Sequence, residues 1–263
     1  MDMFDIDKRI SIHGVGDPLI LVHGGSGPRN LEPMIKGLAK HFRVIVPTFP
    51  GYLVEDGSLE YSDELYVNFL EDVRNYLGLH NFYLAGVSLG GRTVLNYTLK
   101  HQERVAKLIV MAAAGVTGLT PFLIVPFFNK FFAYYYYLKL WDSQYVKKMA
   151  IDGLVNQKGE TAKWILSWFP KMVANPVIRT NYSQMVAKVG RKKLEWEETL
   201  PNLTVQTLIL WSSEDELFPL STADKLANMI PNASLHVLEG YRHLAHVEKP
   251  DFYVSRIKEF LEP

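Results

Sequence analysis

The chain has 263 residues, 48% hydrophobic and 21% charged, a length and balance that suit one large or two small globular domains and exclude disorder. Lys and Arg together number 28 and so do Asp and Glu, so no global field favours nucleic acid or an anionic membrane as a partner. The absence of cysteine excludes disulfides, thiolate nucleophiles and Cys-ligated zinc.

The start of the chain, Met1-Asp2-Met3-Phe4-Asp5-Ile6-Asp7, is acidic and lacks the apolar core of a signal peptide, so a cytoplasmic location is expected. Ile10 to Ile12 and Leu19 to Val22 read as two strands joined through Gly14, Gly16 and Pro18. Leu31 to His41 has helical spacing, and Val44 to Val46 is a short buried strand ended by Pro47. Ser62 or Asp63 caps a helix that stops at Gly78. Phe82 to Ala85 is a strand, Leu89 to about His101 a helix, and Val105 to Ala112 a further apolar strand. After a long interval come a strand at Thr207 to Trp211, a helix at Thr222 to Met229, a strand at Ser234 to Leu238 and a final helix from Asp251 to Leu261. Strands alternating with helices predict a mostly parallel sheet covered on both faces.

The interval breaks that rhythm. Residues 116–200 read as helical and aromatic, with Phe127, Phe128, Phe131, Phe132, Tyr134 to Tyr137, Trp141, Trp164, Trp168 and Phe169. Because the alternation resumes afterwards, the segment is expected to be a helical cap inserted into one core domain of residues 1–115 and 201–263. Its apolar stretch from Leu119 to Leu140 is interrupted by Pro121, Pro126, Asn129 and Lys130, which makes it a poor membrane span. The basic run Lys188 to Lys193 is short and reads as a solvated loop or helix end.

Three clusters carry chemistry. Gly86-Val87-Ser88-Leu89-Gly90 lies between a predicted strand and a predicted helix. A G-x-S-x-G turn there presents a serine hydroxyl as a nucleophile, and its flanking residues must be small to clear neighbouring backbone. His23-Gly24-Gly25-Ser26-Gly27-Pro28 follows an earlier strand. A glycine-rich turn lets a substrate carbonyl approach backbone N–H groups, as stabilising an oxyanion requires. His23 reads as a residue that hydrogen-bonds this loop. The third cluster is split. Glu214, Asp215 and Glu216 follow a strand end and compete as the acid, while His236, His243 and His246 follow them in the chain. His236 falls within a strand, His243 lies in a loop, and His246 is its rival as general base. A metal site of His243, His246 and Glu248 matches no recognised zinc spacing.

The order Ser88, Asp215, His243, with the elbow and the HGG turn upstream, resembles the α/β-hydrolase fold superfamily across essentially the full chain. It is most similar to the cap-bearing group that includes carboxylesterases, enol-lactone hydrolases and carbon–carbon bond hydrolases. Epoxide hydrolases and haloalkane dehalogenases of that group use an aspartate where Ser88 stands. The resemblance implies a mostly parallel, eight-stranded sheet flanked by helices. It implies Ser88 as nucleophile, His243 as base, Asp215 as its orienting partner, and the N–H groups of Gly25 and Leu89 as the oxyanion hole. Pro47-Thr48-Phe49-Pro50-Gly51-Tyr52 resembles the family's strand-end D-x-P-G-x-G, with Thr48 in place of the acid and Leu53 in place of the last glycine.

The expected activity is a cofactor-independent, metal-free serine hydrolase that cleaves a small or medium-sized apolar or aryl ester through an acyl-enzyme. Carbon–carbon bond hydrolysis of a vinylogous diketone on the same triad is the alternative within catalysis, and a non-catalytic binding protein is the alternative outside it. The partner is a small molecule, not nucleic acid, and the sequence fixes no oligomeric state.

Overall fold

In a computed structural model, the structure describes residues 4–57, 59–115, 144–185, 188 and 196–262. The core elements follow in chain order as β1 (Ile10–His13), β2 (Pro18–Val22), α1 (Glu32–Leu38), β3 (Arg43–Pro47), α2 (Asp63–Tyr76), β4 (Phe82–Val87), α3 (Leu89–Lys100) and β5 (Val105–Met111). Then come three helices of the inserted segment, α4 (Gln144–Ile151), α5 (Glu160–Ala174) and α6 (Pro176–Met185). The core resumes with β6 (Thr207–Ser212), α7 (Leu220–Met229), β7 (Ala233–Leu238), α8 (Ala245–Glu248) and α9 (Pro250–Leu261).

The sheet runs β1-β3-β2-β4-β5-β6-β7, with only β1 antiparallel to its neighbour. The described residues thus form seven strands rather than the eight implied by the resemblance. The segment ahead of β1 is crowded with Asp5, Asp7, Lys8 and Arg9 and forms a 3-10 turn over Asp7–Arg9. It lacks the alternating apolar pattern a further strand needs.

Side chains alternate across the parallel strands. Ile20, Val22, Leu84, Val110 and Ile209 pack beneath α2, α3 and α7, while Leu19, Leu21, Ala85, Ile109 and Leu208 pack beneath α1 and α9. Burial on both faces explains why these strands are almost continuously apolar. The chain leaves β2 toward β3 on one side and returns to β4 on the other. The carboxyl ends of β2 and β4 therefore face a crevice, the position where open α/β sheets hold ligands.

The described helices of the insertion have their own small core. Leu154, Ile165, Trp168, Phe169 and Val173 pack together and against Leu244 and, on α8, Val247. Beyond α6, buried Trp196 joins the main core and donates its Nε1–H to Asn96 Oδ1 at 3.0 Å. The junction at 116, the aromatic run from Phe127 to Trp141 and most of the basic run after Lys188 lie outside the described residues. Among the described residues no helix is long and apolar enough to cross a membrane.

Candidate active site

Ser88 sits between β4 and α3 with φ 57° and ψ −114°, one of two non-glycine residues at positive φ among those described. Such a conformation costs on the order of 1–3 kcal/mol and persists only where its surroundings over-determine it. They do so here. The Ser88 N–H donates to Met111 O at 2.8 Å, and its carbonyl accepts from Arg92 N at 3.0 Å and Ala114 N at 3.1 Å. A Cβ on Gly86 would lie 2.4 Å from the Gly90 carbonyl oxygen, and one on Gly90 would lie 2.4 Å from that of Val22. Both clashes are with backbone, so no side-chain movement relieves them. The two glycines of the pentapeptide are steric requirements of the elbow.

The register pairs Val22 with Gly86, so the turn after β2 runs beside the elbow. A Cβ on Gly24 would meet the Ser88 Cβ at 3.0 Å. His23 is buried beneath this turn. Its Nε2 accepts the Phe49 N–H at 3.0 Å, which fixes the proton on Nδ1, and Nδ1 lies 2.7 Å from the Gly24 carbonyl oxygen. Burial lowers the His23 pKa to about 4, so the ring stays neutral and keeps this tautomer. The Gly24 carbonyl also accepts from Gly27 N at 3.0 Å. In a trans peptide the N–H points opposite to the C=O, so pinning Gly24 O toward His23 aims the Gly25 N–H away from that ring. Leu89 is the first residue of α3, where the N–H has no intrahelical acceptor. Gly25 and Leu89 thus each carry a backbone N–H on the turns flanking Ser88, one directed away from the His23 ring and one at the start of α3.

The acid and the histidine come from the ends of β6 and β7. Of the three competing acids, Glu214 and Glu216 are exposed, and Glu216 pairs with Arg242. Asp215 is buried. Its Oδ1 accepts the N–H groups of Leu217 and Phe218, each at 2.9 Å, which turns Oδ2 toward His243 Nδ1 at 2.8 Å. With Nδ1 engaged, Nε2 is the His243 nitrogen left for proton transfer. His246 lies in α8 beside His243 but does not bond Asp215; it is buried, with its ring 6.3 Å from that of Tyr253. Burial lowers its pKa to about 3. His236 stands on β7 opposite Leu210.

Ser88, Asp215 and His243 thus follow β4, β6 and β7 at one edge of the sheet. The insertion braces the last of them. Leu244 N donates to Gly153 O at 2.8 Å, and the Glu248 carboxylate accepts from Val155 N at 2.8 Å and Asn156 N at 2.9 Å. Glu248 is therefore spent on loop anchoring, and among the described residues no three His, Asp or Glu side chains converge as metal ligands.

Two contributors had no signal in the residue pattern. Tyr52 donates its hydroxyl to Gly25 O at 2.6 Å, bracing the turn from the loop after β3. Tyr182 and Met185 of α6 approach Gly25 from the insertion. A groove of about 680 Å³ opens beside the turn, lined among others by Ser26, Arg29, Thr48, Trp168, Lys171 and Met172.

Known hydrolases are similar to this chain over nearly its whole length. The chain is 26% identical over 279 residues to a 2-hydroxy-6-oxononadienedioate/2-hydroxy-6-oxononatrienedioate hydrolase of Pseudomonas putida, covering 98% of this chain and 94% of that one. It is 27% identical over 259 residues to a 2-hydroxy-6-oxo-6-phenylhexa-2,4-dienoate hydrolase of Burkholderia cepacia, covering 94% and 88%. Among solved structures, a meta-cleavage product hydrolase of Pseudomonas fluorescens IP01 superposes with a TM-score of 0.80 at 23% identity, over 96% of this chain and 93% of that one. The alpha/beta hydrolase fold family model matches residues 17–250. With a mostly parallel sheet, a strained serine elbow and a paired acid and histidine at its carboxyl edge, the chain belongs to the alpha/beta hydrolase fold family.

Proposed function

We propose that this protein hydrolyses a carbon–carbon bond in a 2-hydroxy-6-oxo-dienoate, a vinylogous diketone, using Ser88, His243 and Asp215. The observation that carries the proposal is that relatives aligned over 94–98% of the chain are named for hydrolysis of such substrates. The ester reading rests on the serine chemistry of the fold alone. The groove next to the Gly25 turn, lined by Ser26 and Tyr52 and by none of Ser88, Asp215 and His243, carries two cations on its wall. Lys171 on its wall has no ion pair among the described residues, and Arg29 shares its charge with Glu32 at 3.4 Å.

The chemistry follows from the substrate class. The dienol first ketonises at C2 as C5 takes up a proton, which leaves C5 bonded to the C6 ketone and conjugated through C3=C4 to the C2 carbonyl. Ser88 Oγ attacks C6 while His243 Nε2 takes its proton, and the oxyanion sits against the Gly25 and Leu89 N–H groups. Collapse breaks C5–C6, and the electron pair passes through C4 and C3 to the C2 oxygen. The imidazolium returns its proton to the dienolate. Water activated by His243 then cleaves the acyl-Ser88 ester and releases a carboxylic acid. The net change adds one water and yields the acid and a 2-hydroxydienoate. Asp215 holds the imidazole tautomer and stabilises its charged form.

The test is to measure turnover of a 2-hydroxy-6-oxo-6-aryl-dienoate and of a series of aryl esters, each with wild type and Ser88→Ala. The proposal expects kcat/KM for the dienoate to exceed that for every ester, and the variant to lose several orders of magnitude on both. Faster ester turnover would overturn the substrate class. Near-full turnover by Ser88→Ala would overturn the nucleophile.

A further inference from the structure

The inserted helices contribute more than a covering to the site. Tyr182 lies on α6, half-buried, with its ring edge-on to Phe169 at 6.4 Å. A carbon placed on Gly25 as a side chain would lie 3.9 Å from a Tyr182 ring carbon, 4.0 Å from the Tyr182 hydroxyl oxygen and 3.7 Å from the Met185 methyl. The hydroxyl therefore stands close to Gly25, whose N–H is turned away from the His23 ring. An oxyanion held there sits about 3 Å from each donor, which puts it within reach of a hydroxyl at that height.

The other tyrosines nearby are differently occupied. Tyr52 spends its hydroxyl on the Gly25 carbonyl. The Tyr61 and Tyr66 hydroxyls are buried without hydrogen-bond partners among the described residues, but they belong to the core around Phe49, where the Tyr61 and Tyr66 rings lie 6.3 Å apart. Tyr182 alone among these four combines a hydroxyl without a hydrogen-bond partner among the described residues with a position against the oxyanion turn. Burial pushes its pKa up to about 12, so at neutral pH the group is a donor.

We propose that the Tyr182 hydroxyl is a third oxyanion donor, supplied by the insertion, which bonds the oxygen developing charge between the Gly25 and Leu89 N–H groups. This rests on the assignment of Ser88 as nucleophile. It makes Tyr182 a catalytic residue, since it would touch the reacting oxygen. It also gives the position of α6 a direct effect on rate, because a helix displaced from Gly25 withdraws the donor.

The experiment compares wild type with Tyr182→Phe, which keeps the ring and removes the hydroxyl. That hydroxyl bonds nothing among the described residues, so the melting temperature should stay within about 2 °C, as for a neutral surface change. Two readouts are taken. The first is kcat and KM on the dienoate. The second is the rate constant for phosphonylation of Ser88 by a fluorophosphonate, whose phosphoryl oxygen also gains charge against the oxyanion donors. The proposal expects kcat and the labelling rate to fall together by roughly 10–100-fold, with KM changed less than threefold. Unchanged labelling would overturn it, and so would a rise in KM alone, which marks contact with the ground state. Labelling of wild type without dienoate turnover would overturn the proposed substrate, and the labelling ratio would still decide Tyr182. Failure of wild type to label at all would overturn both.

Discussion

Two histidines buried as neutral rings should make this protein lose stability on mild acidification, before its carboxylates titrate. His23 has its pKa lowered from the ordinary 6.5 to about 4, by burial. His246 is lowered to about 3 by burial and by the neighbouring His243. Both folded-state values lie below the unfolded one, so between them the unfolded chain binds more protons. The stability they contribute is complete above about pH 6.5 and declines as the pH falls. Linkage between these values gives a loss of roughly 2 kcal/mol for each between pH 7 and pH 5, or about 4 kcal/mol together. That is a large share of the 5–15 kcal/mol typical of a domain. Urea unfolding followed by tryptophan fluorescence, with buried Trp211 as a reporter, measures it at half-unit pH steps. The midpoint should fall steadily with an unchanged m value. His246→Phe removes one titrating ring from beside Tyr253, so its midpoint should fall about half as steeply, whatever its stability at pH 7. A wild-type stability that varies by less than about 1 kcal/mol over this range, or a variant with the wild-type slope, would refute the reasoning.

The Asp56 side chain is buried and pairs with buried Arg9, while its Oδ2 accepts from Gly51 N at 2.7 Å and Leu53 N at 2.9 Å. Asp56→Ala strands a buried guanidinium and should cost about 3–5 kcal/mol in urea unfolding; a loss under about 1 kcal/mol would contradict the pairing. Gly90→Ala drives a carbon onto the Val22 and His23 carbonyls, at 2.4 and 2.7 Å. It should abolish fluorophosphonate labelling of Ser88 and destabilise the fold, whereas wild-type labelling would mean that the elbow tolerates a side chain. Asp215→Asn should lower kcat roughly 10³–10⁴-fold, as in serine-protease triads, with little change in melting temperature. A loss of less than tenfold in steady-state kinetics would remove Asp215 from the triad.

The parts of the site that are local in sequence were legible in it. The elbow's steric demands fall on consecutive residues, so Gly86, Ser88 and Gly90 announce themselves, and the structure shows which carbonyls impose the two glycines. His243 stood out by its loop position after a strand. The residue pattern alone left three adjacent acids open and the resemblance named Asp215; the structure adds the reason, since the Leu217 and Phe218 N–H groups turn Asp215 inward. Tyr52 and Tyr182 carried no signal. Nothing in their own neighbourhoods marks a residue that meets a turn 27 positions away through a hydroxyl, or one brought to that turn on helix α6. The chosen bond, ester or carbon–carbon, was equally out of reach of the motifs, since one triad serves both.

The sequence by itself determined a parallel α/β architecture, a serine on a strained turn and, as the candidate partner of that serine, a histidine in a loop after a later strand. These follow from apolar periodicity and backbone sterics, which act within a few residues. Tertiary structure decided the strand count, the burial and anchoring of Asp215, the tautomer of His23 and the approach of α6 to Gly25. Each of these depends on which distant groups share a hydrogen bond or exclude water, and only the folded chain brings such groups together.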